Sequence, residues 1–87
     1  MNKLEIIEHK LYEKSFKKLS KKFRNIGKDM DAFLSSVETK DDLGVELKAD
    51  IYKARIANTD KNRGKGGEYR LFTYMAVVRN ELHLLYI

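Results

Sequence analysis

The chain contains no cysteine, no proline and only two histidines, and none of its apolar runs approaches the roughly 18 residues of a membrane-spanning helix. Without cysteine, disulfides and thiolate metal sites are excluded, which fits a reducing compartment. His9 and His83 stand at opposite ends of the sequence, so a metal cluster has little to build on and neither metal nor cofactor is expected. Met1 runs directly into the polar Asn2 and Lys3, unlike a secretory leader, and the expected location is the cytoplasm, with no membrane association. The 87 residues allow one modest core and are too few for a cofactor domain joined to a substrate domain. Apolar residues make up 43% of the chain and charged residues 36%, the balance of a folded domain rather than a disordered tail. One domain over residues 1–87 is expected.

The formal net charge of +5 is unevenly placed. Residues 1–29 carry nine Lys/Arg against four Asp/Glu, residues 30–47 one against five, and residues 48–70 seven against three. Two basic segments separated by an acidic one suggest a surface with a positive face, which attracts polyanions through phosphate contacts and counterion release. The plainer alternative is a solvated, solubilising surface.

Leu4, Ile6 and Ile7 among Glu and Lys predict a short strand over residues 3–9. From Tyr12 to Asn25 the period changes, with Tyr12, Phe16, Leu19 and Phe23 forming one apolar helical stripe. Gly27 is read as a break, followed by a second helix with Met30, Phe33, Leu34 and Val37 on one face and Asp29 as cap or first-turn acid. Two helices so closely joined predict an antiparallel hairpin. Thr39 to Ala49 reads as irregular. Thereafter Tyr52, Ala54 and Ile56 alternate with Lys53, Arg55 and Ala57, and Leu71, Thr73, Met75 and Val77 alternate with Phe72, Tyr74, Ala76 and Val78, the period of strands. Arg79-Asn80 is a turn candidate, and Leu82 to Ile87 a last strand. The order β-α-α-β-β-β predicts an α+β fold: an antiparallel sheet with the helical hairpin packed on one face.

The period of two turns Lys53 and Arg55 away from Tyr52, Ala54 and Ile56, which would meet the helices. At about 3.3 Å of rise per residue the two cations stand about 7 Å apart, close to one phosphodiester repeat. Arg70 opens the partner strand after a loop whose Gly64, Gly66 and Gly67 permit close backbone approach to a ligand. With Lys65, four cations could converge on one phosphate. The competing reading is a hairpin whose exposed face is merely polar. The loop is not a nucleotide-binding P-loop, because Gly64-Lys65 lacks the upstream glycine spacing and the following Ser/Thr. Lys14, Lys17, Lys18, Lys21, Lys22 and Arg24 read as the wet side of the first helix, with RNA-backbone contact a secondary role. Glu68, beside the cations, is suited either to orienting Arg70 or to acting as a base. His83 reads first as structural and second as a sheet-face acid or base.

Phe16-Lys17-Lys18-Leu19-Ser20-Lys21-Lys22, Tyr52-Lys53-Ala54-Arg55-Ile56-Ala57-Asn58 and Gly64-Lys65-Gly66-Gly67-Glu68-Tyr69-Arg70 resemble, in that order, segments of the RelE/ParE superfamily of toxins from bacterial type II toxin–antitoxin systems. The most specific part is the spacing YK.R.AN…GK.G.YR. The resemblance implies the layout reached above, and for the RelE type a toxin that binds the ribosomal A site and cuts mRNA without metal or cofactor. Carried over residue by residue, it implies that Lys53 and Arg55 bind and activate RNA and that Arg70 stabilises the transition state. Lys65 would be an accessory phosphate contact, with Lys61, Arg63, Lys18 and Lys21 as further RNA contacts. The implied partners are a cognate antitoxin, mRNA and the ribosome, with operator DNA reached only through the antitoxin. The antitoxin would cover the helix pair and sheet with an amphipathic helix or an added strand.

Relatives usually continue past the last strand with a short tail bearing Tyr, Lys, Arg or His, whereas this sequence ends at Ile87. Tyr86 and His83 are the expected substitutes, which with Glu68 make three acid–base candidates. Two other readings stand beside the nuclease: a ParE-type inhibitor of DNA gyrase, and an inactive or truncated member that only binds antitoxin.

Overall fold

A computed structural model describes residues 4–61 and 67–87. Along the chain run β1 (Glu5–Glu8), α1 (Lys10–Ser20), α2 (Ile26–Ser36), a 3-10 helix (Lys40–Leu43), β2 (Val45–Lys48), β3 (Ile51–Ala57), a second 3-10 helix (Thr59–Lys61), β4 (Glu68–Ala76) and β5 (Glu81–Tyr86). The class is α+β. Alternation in the last three strands follows the sequence pattern: Tyr52, Ala54 and Ile56, then Tyr69, Leu71, Thr73 and Met75, then Leu82 and Leu84 are buried. Tyr12 of α1 and Ile26 and Met30 of α2 pack into the same cluster, so the helices cover one face of the sheet. Leu43, Leu71, Leu82 and Leu84 are fully shielded from solvent, and each such side chain stabilises the fold by about 1.5–3 kcal/mol.

The strands form one sheet in the order β1-β5-β4-β3-β2. The pairs β2–β3, β3–β4 and β4–β5 are antiparallel, but β1 runs parallel to β5, with Glu5 beside Glu81 and Glu8 beside Leu84. The sheet is therefore mixed, not antiparallel throughout as expected. A parallel pair needs a long crossover, and everything between β1 and β5 serves as one. The His9 N–H donates to the Leu84 carbonyl at 3.1 Å, extending that pairing into the start of α1, and the Ile87 N–H donates to Ser15 Oγ at 3.2 Å.

Three boundaries differ from the sequence expectation. First, α1 ends at Ser20, and Gly27 lies inside α2, which starts at Ile26. Ile26 is 1% exposed, and burying it in the first turn of α2 outweighs the roughly 1 kcal/mol that a helical glycine costs. Second, β2 occupies part of the stretch read as irregular. All four of its residues are exposed and its register slips between Glu46 and Lys48, so it has no burial alternation to betray it. Third, β4 stops at Ala76, leaving Val77 and Val78 exposed in the turn that contains Arg79 and Asn80. Gly44, just before β2, has φ of 97°, and a Cβ there would lie 2.2 Å from the Lys53 carbonyl oxygen. Only glycine lets β2 approach β3 this closely.

Candidate anion-binding face of the sheet

The face of the sheet turned away from the helices carries the side chains that alternate with the core. Arg55 on β3 stands directly opposite Arg70 on β4, and Lys53 stands opposite Phe72. Phe72 is in turn paired with Tyr86 on β5, their ring centroids 6.3 Å apart. Beyond that row Tyr74 is paired with His83, rings 5.6 Å apart. The face thus grades from a guanidinium pair through a lysine–aromatic row to a tyrosine–imidazole row. Arg55 and Arg70 are exposed and Lys53 is half-buried.

Among the described residues no carboxylate pairs with Lys53, Arg55 or Arg70; the one Lys/Arg ion pair among them is Lys40 with Asp50. Cross-strand neighbours have Cβ atoms about 5 Å apart, and like charges so placed destabilise a sheet. A fold that keeps two guanidinium groups opposed and unneutralised is suited to receiving an anion between them, where bidentate charge-assisted hydrogen bonds form. Glu68 lies on the same face, opposite Ala57, and makes no ion pair with Arg70.

The connection between β3 and β4 is braced at its base. The Asp29 carboxylate accepts the Thr59 N–H at 3.0 Å and the Thr59 hydroxyl at 2.8 Å. Asp60 accepts the Asn25 N–H at 2.7 Å, and the Asn58 N–H donates to the Gly67 carbonyl at 3.0 Å. Asp29 is the first-turn acid of α2, one of the two roles expected of it; it is buried and also ties α2 to this connection. Of the cations expected in the loop, Arg63 and Lys65 lie outside the described residues. Lys61 ends the second 3-10 helix, its side chain likewise outside them.

The structure separates some predicted residues and joins others. Lys18 and Lys21 are exposed at the end of α1, on the helical side of the sheet. Lys22 instead lines a groove of about 450 Å³ together with Glu68, Arg70 and Tyr86. The two histidines, 74 positions apart in sequence, meet: His9 Nε2 lies 2.7 Å from His83 Nδ1. His83 Nε2 lies 3.0 Å from Glu81 Oε1. An Nε2–H tautomer of His83 satisfies both contacts, donating to Glu81 and accepting from His9. Both ring nitrogens of His83 are thereby engaged. No group of three metal-ligating side chains forms among the described residues.

Tyr69 faces the core. Burial, reinforced by the charges of Asp29 and Asp60, pushes its phenol up to about 12, so the hydroxyl remains protonated at neutral pH; it has no hydrogen-bond partner among the described residues. Sequence reasoning placed Phe72 in its strand, Lys22 in the basic run and His9 among the two histidines, but singled out none of them as a site residue. Phe72 was recoverable by counting two from Arg70. Nothing in the sequence distinguishes Lys22 from its basic neighbours.

Among the described residues no helix is long and apolar enough to cross a membrane. Compared with protein-family models, curated proteins and solved structures, the chain shows no match to any.

Proposed function

We propose that this chain is a toxin of a type II toxin–antitoxin system, of the RelE kind, that cuts mRNA on the ribosome. The observation that carries the reading is the Arg55–Arg70 pair, opposed across two strands on the uncovered face with Lys53 two residues along β3. In the reaction the ribose 2′-oxygen attacks the adjacent phosphorus, forming the O2′–P bond as the P–O5′ bond breaks. The 2′-hydroxyl loses its proton to a base and the departing 5′-oxygen gains one from an acid, leaving a 2′,3′-cyclic phosphate and a 5′-hydroxyl. Negative charge builds on the non-bridging oxygens during this step, and guanidinium groups carried on two paired strands answer it. Arg70 and Arg55 hold the phosphate, and Lys53 adds a third charge. Glu68 and Tyr86, both on the β4–β5 side of this face, are the nearest acid–base candidates whose side chains make no hydrogen bond among the described residues.

A cognate antitoxin is part of the proposal, since an uncontrolled mRNA-cutting activity would arrest its own host. The test is cleavage of end-labelled mRNA on translating ribosomes, with new 5′ ends mapped for the wild-type chain and for Arg70→Ala. Ribosome-dependent cuts reduced about 10²- to 10³-fold in the variant are expected, the loss typical of one transition-state charge donor. Equal cutting by both proteins, or none by either, overturns the reading. Gyrase inhibition that survives Arg70→Ala would place the chain with the ParE type instead.

A further inference from the structure

β5 ends at Tyr86, which pairs with Phe72, whereas β4 extends back to Glu68. Among the described residues, 68–71 therefore have β3 on one side and no strand on the other. The end of α1 overhangs this step, and between them lies the groove of about 450 Å³, within the range of small-ligand sites. Its lining combines two kinds of group. Phe23, Phe72 and Tyr86 offer aromatic surface, and Phe23 is held edge-on to Tyr69 at 5.8 Å. Lys22, just past α1, and Arg70, on β4, bring cations to the lining, Lys22 Nζ standing 5.5 Å from the centre of the Phe23 ring. Asn58 adds a carboxamide whose oxygen is fixed by the Asp60 N–H at 3.0 Å. Glu68 is the one acid in the lining among the described residues.

We propose that this groove is a nucleoside-phosphate site, with the base against the Phe72–Tyr86 wall and the phosphate between Lys22 and Arg70. A flat π-system carrying an anion matches both the aromatic surface and the two-to-one excess of cations, and base–aromatic stacking tolerates any base. A peptide strand would meet the free edge of β4 but would leave the paired cations unanswered. Taken as the seat of one nucleotide of a bound RNA, the site rests on the nuclease reading. Taken as a site for a nucleoside phosphate, it stands on the groove alone.

The test is an NMR titration of the whole chain with 5′-AMP, adenosine, ribose 5-phosphate and the trinucleotide ApApA. With 5′-AMP, the ring resonances of Phe23, Phe72 and Tyr86 should shift together. Tyr86→Ala should weaken 5′-AMP and adenosine alike, by roughly five- to hundredfold. Lys22→Ala, which alters an exposed side chain, should weaken 5′-AMP by about tenfold and leave adenosine unchanged. Tighter binding of ApApA through the same resonances supports a strand-binding subsite. Equal affinity for ApApA and 5′-AMP supports a free-nucleotide site and counts against the RNA role. Ribose 5-phosphate binding as well as 5′-AMP, or 5′-AMP shifting resonances elsewhere, overturns the proposal. Should 5′-AMP fill the groove while mRNA stays uncut on ribosomes, the nuclease reading falls and the groove assignment stands.

Discussion

The two faces of the sheet are built from the same strands, one residue out of phase, and answer to different demands. On the covered face Tyr52, Ala54, Ile56, Leu71, Met75, Leu82 and Leu84 are buried against the helices, and their identity is set by volume and the loss of water contact. On the open face Arg55 opposes Arg70, and Lys53 adjoins Phe72. That arrangement adds nothing to stability and, as a like-charge pair, subtracts from it. Its residues are placed by the β3–β4 register and not by any gain in stability. The covered face explains why the chain folds, and the open face what it is folded to present.

The largest effect that sharpens this contrast is Leu71→Ala. It removes a fully buried side chain between Arg70 and Phe72 and should lower stability by about 2–5 kcal/mol in urea unfolding; a loss below about 1 kcal/mol would show that the covered face is not the core. Tyr69→Phe runs the other way, because the Tyr69 hydroxyl is buried without a partner among the described residues. Its removal should leave stability unchanged or raise it by about 1 kcal/mol, and marked destabilisation would reveal a bond to that hydroxyl. On the open face Arg55→Ala should raise stability by a few tenths of a kcal/mol at low salt by relieving Arg70. The gain should vanish at high salt as screening takes over.

The smallest effect belongs to Asp42, in the 3-10 helix before β2. Its carboxylate accepts the Glu38 and Thr39 backbone N–H groups, which hold its pKa below the ordinary carboxylate value. The fold therefore favours the ionised form. That contribution is present above the unfolded-state pKa and is lost as the pH falls through the lowered folded value. The stability gap between wild type and Asp42→Ala should thus be largest near neutral pH and close in acid.

How much of this was legible in the sequence follows the reach of the interactions. Alternation over Ile51 to Ala57 is local, and it sorted Lys53 and Arg55 from Tyr52, Ala54 and Ile56 correctly. The helical stripe of Tyr12, Phe16 and Leu19 was local as well. The parallel pairing of β1 with β5 was not legible, because strand direction depends on how the chain returns after more than seventy residues. Neither was β2, whose exposed edge carries no pattern, nor the requirement for glycine at position 44, which arises from β3 pressing against it. The Arg55–Arg70 opposition needed the β3–β4 register, and a shift of one residue would have set Arg70 against the buried face. The meeting of His9 and His83 follows from the same parallel pairing that the sequence concealed.

The most direct test of the claim that the open face is built for polyanions is the salt dependence of binding to a short single-stranded RNA. Wild type should be compared with the Arg55→Ala/Arg70→Ala double variant, each confirmed as folded by circular dichroism. If Lys53, Arg55 and Arg70 each neutralise a phosphate, log K should fall with log salt at a slope of about −2 for wild type and about −0.7 for the variant. Identical slopes for the two proteins would place the polyanion contacts elsewhere, on the basic side of α1, and would contradict the account.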